Sequence, residues 1–479
     1  MLVYTSNIVA DYLAMVMNMN TKQIGAIAVV LVIIIAGVSV YLAFGGGSSN
    51  NDPNYGLSDN IDGRLTIFGN ANNDDYIDQR DVEAVESIIS GEVEPVYFDC
   101  KLSYGGATVQ RTLADANCDG VVDETDLDII QRMVDREVGM QIHFYDVDGV
   151  ASSCTYPLDT MAIGYKSNYE AVLILGAEDK CLYACNQVSD NGAYSKWYTA
   201  FSDAQGIGSR FDPDYEVFVK EGNEKPSCVI TGTRAWFDAD METTLAPLGI
   251  DVVRLPFWED NVTVSGIITL GYLLGCEDAA YDYAETADSV LETIEDTLSN
   301  VPLADRPLVY ASYNGTKIST MHNGVHEFVT AAGGKTVLDI GGYQAGTNID
   351  GEGIISMNPD FIVFSVYYGF LEEYDSLETT KDYVYDMLTN SDGMYFSLIE
   401  QTNAYKEGNV YIFDQGMFMG PASYIPIAYM ANLLYPDLFD FDVDALFTEY
   451  LEKYHPEFSI EDFEGLSYYS LNEVLNYYN

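Results

Sequence analysis

Positive charge is what this chain has least of: 21 Lys and Arg stand against 75 Asp and Glu, a formal charge of −54 over 479 residues. A field of that sign repels phosphate backbones and acidic lipid surfaces, which excludes nucleic acid as a partner. Histidine is rarer still, with four residues. His322 and His326 share the i, i+4 spacing of a metal pair, but no third ligand lies near them and they read as a solvated helix face. Seven cysteines (100, 118, 154, 181, 185, 228 and 276) include no Cys-x-x-Cys, so neither a zinc ribbon nor a thioredoxin-type site is supported. Their odd number leaves open which of them pair in an oxidising exterior. No Ser-His-Asp, Cys-His or glycine-rich phosphate loop occurs either, and no enzyme is expected.

What the chain does have is apolar bulk. Hydrophobic residues make up 48% and aromatics 13%, with 38 Tyr, which rules out wholesale disorder, and the length calls for two or three domains. Ile24 to Phe44 carries no charge and as a helix would span about 31 Å, enough for a bilayer core. Lys22 precedes it and the next basic residue after it is Arg64, so the N-terminus is placed inside and the bulk outside. The expectation is a single-pass plasma-membrane protein with most of its chain extracellular; a cleaved signal peptide is the alternative. Residues 1–23 are then a cytoplasmic segment or, with a start at Met19, partly an artefact. Residues 24–44 form the anchor, and 45–62 are a Gly/Ser/Asn/Asp linker.

Residues 70–81 read NANNDDYIDQRD and residues 115–126 read DANCDGVVDETD. Oxygen side chains fall at loop positions 1, 3, 5, 9 and 12 of both, the spacing that wraps a twelve-residue loop around calcium, with position 7 offering its carbonyl. An apolar residue at position 8 (Ile77, Val122) and a helical pattern (Val82–Ile89, Leu127–Val134) follow in each copy. The pair resembles a dockerin module, spanning 63–140 and expected to be small and all-α. That resemblance implies two Ca2+ sites and a cohesin-type protein partner. The implied ligands are Asn70, Asn72, Asp74, Tyr76 (carbonyl), Asp78 and Asp81, then Asp115, Asn117, Asp119, Val121 (carbonyl), Asp123 and Asp126. Position 6, where positive φ favours glycine, is Gly120 in the second copy and Asp75 in the first, which predicts a weaker first site.

From Gln141 onward short apolar strands alternate with helical patterns, the signature of an α/β architecture. Strands are predicted at Leu182–Cys185, Cys228–Gly232, Asp251–Phe257, Leu308–Tyr313, Phe361–Tyr367 and Val410–Phe413. Within Glu277–Asn300, Ala280, Ala284, Ala287, Leu291, Ile294 and Leu298 follow steps of three and four, which makes one amphipathic helix. It divides the region into an N-terminal lobe (141–276), a connecting helix (277–300) and a C-terminal lobe (301–479). Ligands in open α/β sheets sit beyond the carboxyl ends of strands. Aromatic residues near those ends supply the candidate ligand wall: Tyr165, Trp197, Trp236 and Trp258 on one lobe, Tyr313, Tyr343, Tyr367 and Met417 on the other. Arg210 and Arg234 join them as scarce cations, either able to meet an anionic chelate.

Eight phrases in order resemble the substrate-binding proteins of ABC importers for ferric siderophores, cobalamin and haem, the class III periplasmic binding proteins. They are YEAVLILGAEDK (169–180), PDYEVFVKEGNEKPSCVI (213–230), LGIDVVRLPF (248–257), RPLVYASYNG (306–315), AAGGKTV (331–337), EGIISMNPDFIVF (352–364), YKEGNVYIFD (405–414) and LLYPDLF (433–439). The resemblance implies two α/β lobes joined by a single long helix, a metal chelate as ligand, and ABC permease subunits as partners. It also implies docking on the permease through Glu216 and Glu352. The rival expectation is a surface adhesion or scaffold protein that docks through its dockerin-like module without transport.

Overall fold

A computed structural model describes residues 63–189, 192, 194–258, 262–313, 317–318, 324–341, 343–344, 346–366, 399–414, 420–463 and 468–470. Among these no helix is long and apolar enough to cross a membrane, and the Ile24–Phe44 span lies outside them.

The described chain begins with two loop–helix units. Helix α1 (Gln79–Ile89) is capped by Asp78 and the helix of the second unit (Glu124–Val134) by Asp123. In each, the third helical residue, Asp81 or Asp126, reaches back to the backbone N–H of the cap. Loop positions 9 and 12 therefore build a capping box, so the same acidic spacing also starts the helices. Ala71, Val82, Val85, Ala114, Ala116 and Ile130 pack between the units. The connection between them forms a hairpin, β1 (Phe98–Lys101) antiparallel to β2 (Thr108–Arg111). The module is thus mixed α and β, which corrects the all-α expectation. The second unit's helix is α2 (Glu124–Val134).

A second hairpin, β3 (Gln141–Tyr145) and β4 (Ala151–Thr155), fastens this module to the rest. Phe68 N–H donates to His143 O (2.9 Å) and Tyr145 N–H to Thr66 O (2.8 Å) on one side, and Val147 N–H donates to Arg254 O (3.0 Å) on the other. The first large sheet then forms from β5 (Met161–Ile163), β6 (Cys181–Ala184), β7 (Gln205–Gly206), β8 (Cys228–Thr231) and β9 (Asp251–Arg254), in the order β9-β8-β5-β6-β7 and parallel throughout. All residues of β5 and β8 are buried, as expected of central parallel strands covered on both faces. Helix α3 (Lys166–Ile174) follows β5.

Helix α4 (Thr263–Leu274) is buried along its whole length. It runs so close to the next helix that a Cβ on Gly271 would lie 2.6 Å from the Ala280 Cβ. That next helix is α5 (Glu277–Leu298), the predicted connector, with Ala280, Tyr283, Ala284, Ala287, Val290, Ile294 and Leu298 buried at helical spacing. The second sheet comprises β10 (Leu308–Tyr313), β11 (Lys317–Ile318), β12 (Lys335–Thr336), β13 (Phe361–Val366), β14 (Val410–Asp414) and β15 (Tyr468–Ser470), ordered β11-β10-β13-β14-β15 with β12 also on β10. Its central strands β10, β13 and β14 are parallel. Helices α6 (Gly324–Ala331), α7 (Gly351–Met357), α8 (Tyr424–Leu434) and α9 (Val443–Tyr454) complete the described elements used below.

The loop–helix module keeps a small cluster of its own but also shares the core of the first sheet. Leu65, Ile67, Met133 and Met140 belong to the same buried cluster as Ala162 and Val229 of the first sheet. Full burial of a side chain such as Leu65 stabilises by about 2 kcal/mol, so this joint is a substantial part of the fold. All seven cysteines are unpaired.

Candidate functional site

Strands β5, β8 and β9 are parallel neighbours, so the residues after them emerge at one edge of the sheet. Gly164 and Tyr165 follow β5, Gly232 to Phe237 follow β8, and Trp258 follows β9. Their rings form one shelf. Tyr165 meets Phe237 (5.3 Å between centroids) and Trp258 (6.1 Å), both edge-on, and Trp236 lies 6.4 Å from Trp258. Gly232 is required beneath it, because a Cβ there would stand 2.5 Å from the Phe237 ring. Phe211 stacks on Phe237 at 6.2 Å, and the Arg210 guanidinium lies over both Phe211 (4.6 Å) and Tyr165 (5.2 Å). Trp236 and Phe211 remain 57% and 58% exposed, so the shelf presents flat apolar area beside a cation that makes no ion pair among the described residues.

Two residues expected in this wall are engaged elsewhere. Arg234 is buried, with Nη1 on Asp146 (2.8 Å) and Asp148 (2.9 Å) and Nη2 on Glu242 (2.6 Å), which Arg254 also holds. With three carboxylates already around it, its charge is not available to an anionic ligand, which corrects the expectation. Trp197 is buried too, because the loop after β6 folds back over α3. Its Nε1 donates to Glu170 (3.0 Å) and its ring stacks on His455 at 3.8 Å.

Glu170 is the hub of that second cluster. Burial alone would push its carboxyl up, but His455 (Nε2 at 2.8 Å), Tyr450 and Trp197 all bond to it and hold it below the usual range. His455 and Tyr450 lie on and just beyond α9, whereas Glu170 lies on α3, so this cluster joins the two ends of the α/β region.

On the other sheet, Tyr313 ends β10 and Tyr343 is half-buried; Tyr367 and Met417 lie outside the described residues, as does His322. His326 is buried with its Nδ1 3.0 Å from the Thr336 hydroxyl, so it is no solvated face residue. Glu216 and Glu352 are exposed, each in the first turn of a helix capped by an aspartate, Asp214 or Asp350. Residue-type reasoning missed Phe211; only its position after a glycine-rich turn, Gly206 to Gly208, hints at it.

The two acidic loops repeat one hydrogen-bond plan. Position 1 accepts from the N–H of position 5 (Asn70 from Asp74, Asp115 from Asp119, both 3.1 Å). Position 12 accepts from positions 3 and 9 (Asp81 from Asn72 and Asp78, Asp126 from Asn117 and Asp123). Burial pushes Asp81 up to about 7 and Asp115 up to about 6, the latter even though the Arg111 guanidinium lies 3.5 Å from its carboxylate. Among the described residues no three His, Cys, Asp or Glu side chains are already gathered as a metal cluster. The oxygens present (Asp, Asn and the carbonyls of Tyr76 and Val121) are nonetheless the hard donors that suit calcium, and the second set fits better. There Gly120 takes φ +100° at position 6, while Asp75 takes no positive φ and instead pairs with Arg64 at 2.8 Å. Positions 5 and 9 of the first loop, Asp74 and Asp78, are also covered by Arg80, each at 2.8 Å.

Comparison with known proteins gives a consistent assignment. No curated protein matches the chain significantly. Solved structures do, at low identity. A TroA-like periplasmic binding protein, FepB, from Veillonella parvula superposes with TM-score 0.51 at 16% identity, covering 69% of this chain and 99% of that one. A periplasmic solute binding protein from Veillonella parvula gives 0.52 at 16%, with 68% and 97% covered. The molybdate-binding protein MolA of Haemophilus influenzae gives 0.50 at 14%, with 66% and 98% covered. These likenesses establish the fold. The family model for periplasmic binding proteins matches residues 165–416, over half the chain and including the shelf, and the chain therefore belongs to the periplasmic binding protein family.

Proposed function

We propose that this chain is the extracytoplasmic substrate-binding component of an ABC importer, capturing a metal chelate (a ferric siderophore, cobalamin or haem) and delivering it to the permease. The observation that carries the reading is the aromatic shelf with Arg210 across it, at the carboxyl ends of the strands. It offers area for a flat or catecholate-rich ligand and one cation for its charge. Glu216 and Glu352 are exposed as docking on permease subunits requires. Anchoring through Ile24–Phe44 on the outer face of the membrane belongs to the same proposal, as does Ca2+ held by the acidic loops, the second more tightly. Calcium there would neutralise the buried carboxylates, and the solvent-facing side of the module would remain free for a cohesin-type partner.

Tryptophan fluorescence tests the central claim. Titration with a ferric tris-catecholate, cyanocobalamin and haem is expected to give at least one dissociation constant near or below about 1 μM. Trp236→Ala should weaken that ligand by roughly tenfold. If none of the three binds, transport falls and the adhesion or scaffold role takes its place.

A further inference from the structure

We infer that the N-terminus of α3 is an oxyanion subsite of the cleft, shaped for a carboxylate or phosphate group on the captured ligand. This inference rests on the proposed function and deepens it.

The helix begins at Lys166 and runs nine residues, and its cap residue, Tyr165, supplies no side-chain bond to its first turn. Two side chains in that turn, Ser167 and Asn168, are buried but unpartnered. Asn168 is 0% exposed, yet neither atom of its amide has a protein partner, and the buried Ser167 hydroxyl has none. Two further orphans flank the same corner. The Thr231 hydroxyl, at the end of β8, lies 3.1 Å from where a Cβ on Gly164 would be. Trp258 Nε1 is also without a partner, on a ring 6.1 Å from that of Tyr165.

The contrast with the next residues of the helix shows that loose packing is not the cause. Tyr169 OH donates to Ile163 O (2.9 Å) and accepts from Cys185 N–H (2.8 Å), and Glu170 bonds three partners. Tyr169 and Glu170, right behind the corner, are bonded, and within α3 the side chains left without partners are Ser167 and Asn168, at the end that faces the cleft. Buried groups without partners destabilise a fold, so their concentration at one place calls for a ligand to complete them.

The chemistry of the set favours an anion. Trp258 Nε1 can only donate, Ser167 and Thr231 can donate, and Asn168 brings two more N–H groups, with its Oδ1 the one acceptor that cannot donate. The positive end of the helix dipole points the same way, and Lys166 is buried one residue earlier with its ammonium 5.2 Å from the Tyr194 ring centre. The lid comes from the second sheet's side. A Cβ on Gly420 would lie 3.4 Å from Ser167 Oγ and 2.9 Å from Phe257 O, so this segment lies directly over the corner. Parting the lobes would uncover the donors, and closing them would seal an oxyanion beneath Gly420.

Two measurements on the full chain test this. First, the ligand-free melting temperatures of Asn168→Leu and Ser167→Ala are compared with the unaltered protein. Groups kept for a ligand should leave the Tm unchanged or raised when made apolar; a drop of several degrees in both would mean they serve the fold through bridging water, and would overturn the subsite. Second, binding is titrated with paired probes: haem against its dimethyl ester, cyanocobalamin against cobinamide, and free molybdate and phosphate. The oxyanion-bearing member of a pair should bind about tenfold more tightly, and Asn168→Leu should erase that preference. Binding of molybdate or phosphate alone, lost in the same variant, would place the oxyanion in a free ligand. If a chelate binds equally with or without its oxyanion, the subsite is wrong while chelate capture stands. If no probe binds, both fall together.

Discussion

The two acidic loops carry the same twelve-residue pattern and the same internal hydrogen bonds, yet their surroundings differ. The second meets one arginine, Arg111, 3.5 Å from its position 1, Asp115, and presents Asp119, Asp123 and Asp126 free of any ion pair among the described residues, with glycine at the tight turn. The first is occupied by arginines. Arg80 covers its positions 5 and 9, and Arg64 joins Asp75 to Asp288 of the connecting helix, with Nη1 2.7 Å from the latter. Tyr281 of the same helix donates to Asp75 O (2.9 Å) and its ring lies 4.6 Å from that of Tyr76. One pattern has been put to two uses. In the second copy it remains a candidate cation cradle; in the first it is also a joint between the module and the lobes. A repeated spacing thus specifies a backbone shape, and the nearest arginine decides how that shape is employed.

That contrast can be broken at several points. The largest effect is expected from Asp119→Ala, which removes a ligand position from the open loop and should lower calcium affinity by roughly 100-fold in calorimetric titration. An unchanged isotherm would show that the second loop is no cation site. Arg64→Ala comes next. It leaves Asp75 and Asp288 half-buried without their partner and should reduce stability to urea by about 2 kcal/mol, with little change in calcium affinity of the second loop. Asp75→Gly sharpens the comparison, since it restores the missing glycine but severs the joint. Affinity at the first loop should rise several-fold while the urea midpoint falls, and movement of both in the same direction would refute the division of labour. Smallest is Arg80→Ala, where removing a competing cation should strengthen first-loop binding about two- to threefold.

Local pattern made much of the architecture legible. Apolar runs such as Cys228–Thr231 and Leu308–Tyr313 announced parallel strands, and the three- and four-residue steps after Glu277 marked the connecting helix. Aromatic residues following strands located half of the shelf, Trp236 and Trp258 with Tyr165. What stayed hidden depends on partners far away in sequence. Trp197 and Trp236 look alike by position, but Glu170 and His455, 285 residues apart, claim the first. Arg234 looked free because nothing in its neighbourhood reveals Asp146, 88 residues upstream. The hairpin Phe98–Arg111 was equally obscure, since its strands are four residues each and carry no alternation strong enough to announce them.

That hairpin reaches further than its length suggests. Lys101 bonds the turn between β3 and β4 through its N–H to Gly149 O (2.9 Å) and its ammonium to Asp148 O (3.2 Å). The same turn holds Arg234 and the end of β9, and Tyr104 at the hairpin tip lies 5.5 Å over the Arg234 guanidinium. Together with the Arg64 clamp on the connecting helix, this grips the first lobe from two sides. A two-lobed receptor is commonly pictured as a pair of equal jaws. Here one lobe and the start of the connecting helix are tied to the module, so any change of angle between the lobes would carry the module along with the first. A protein that gripped the module would hold that lobe still and leave the other free to turn.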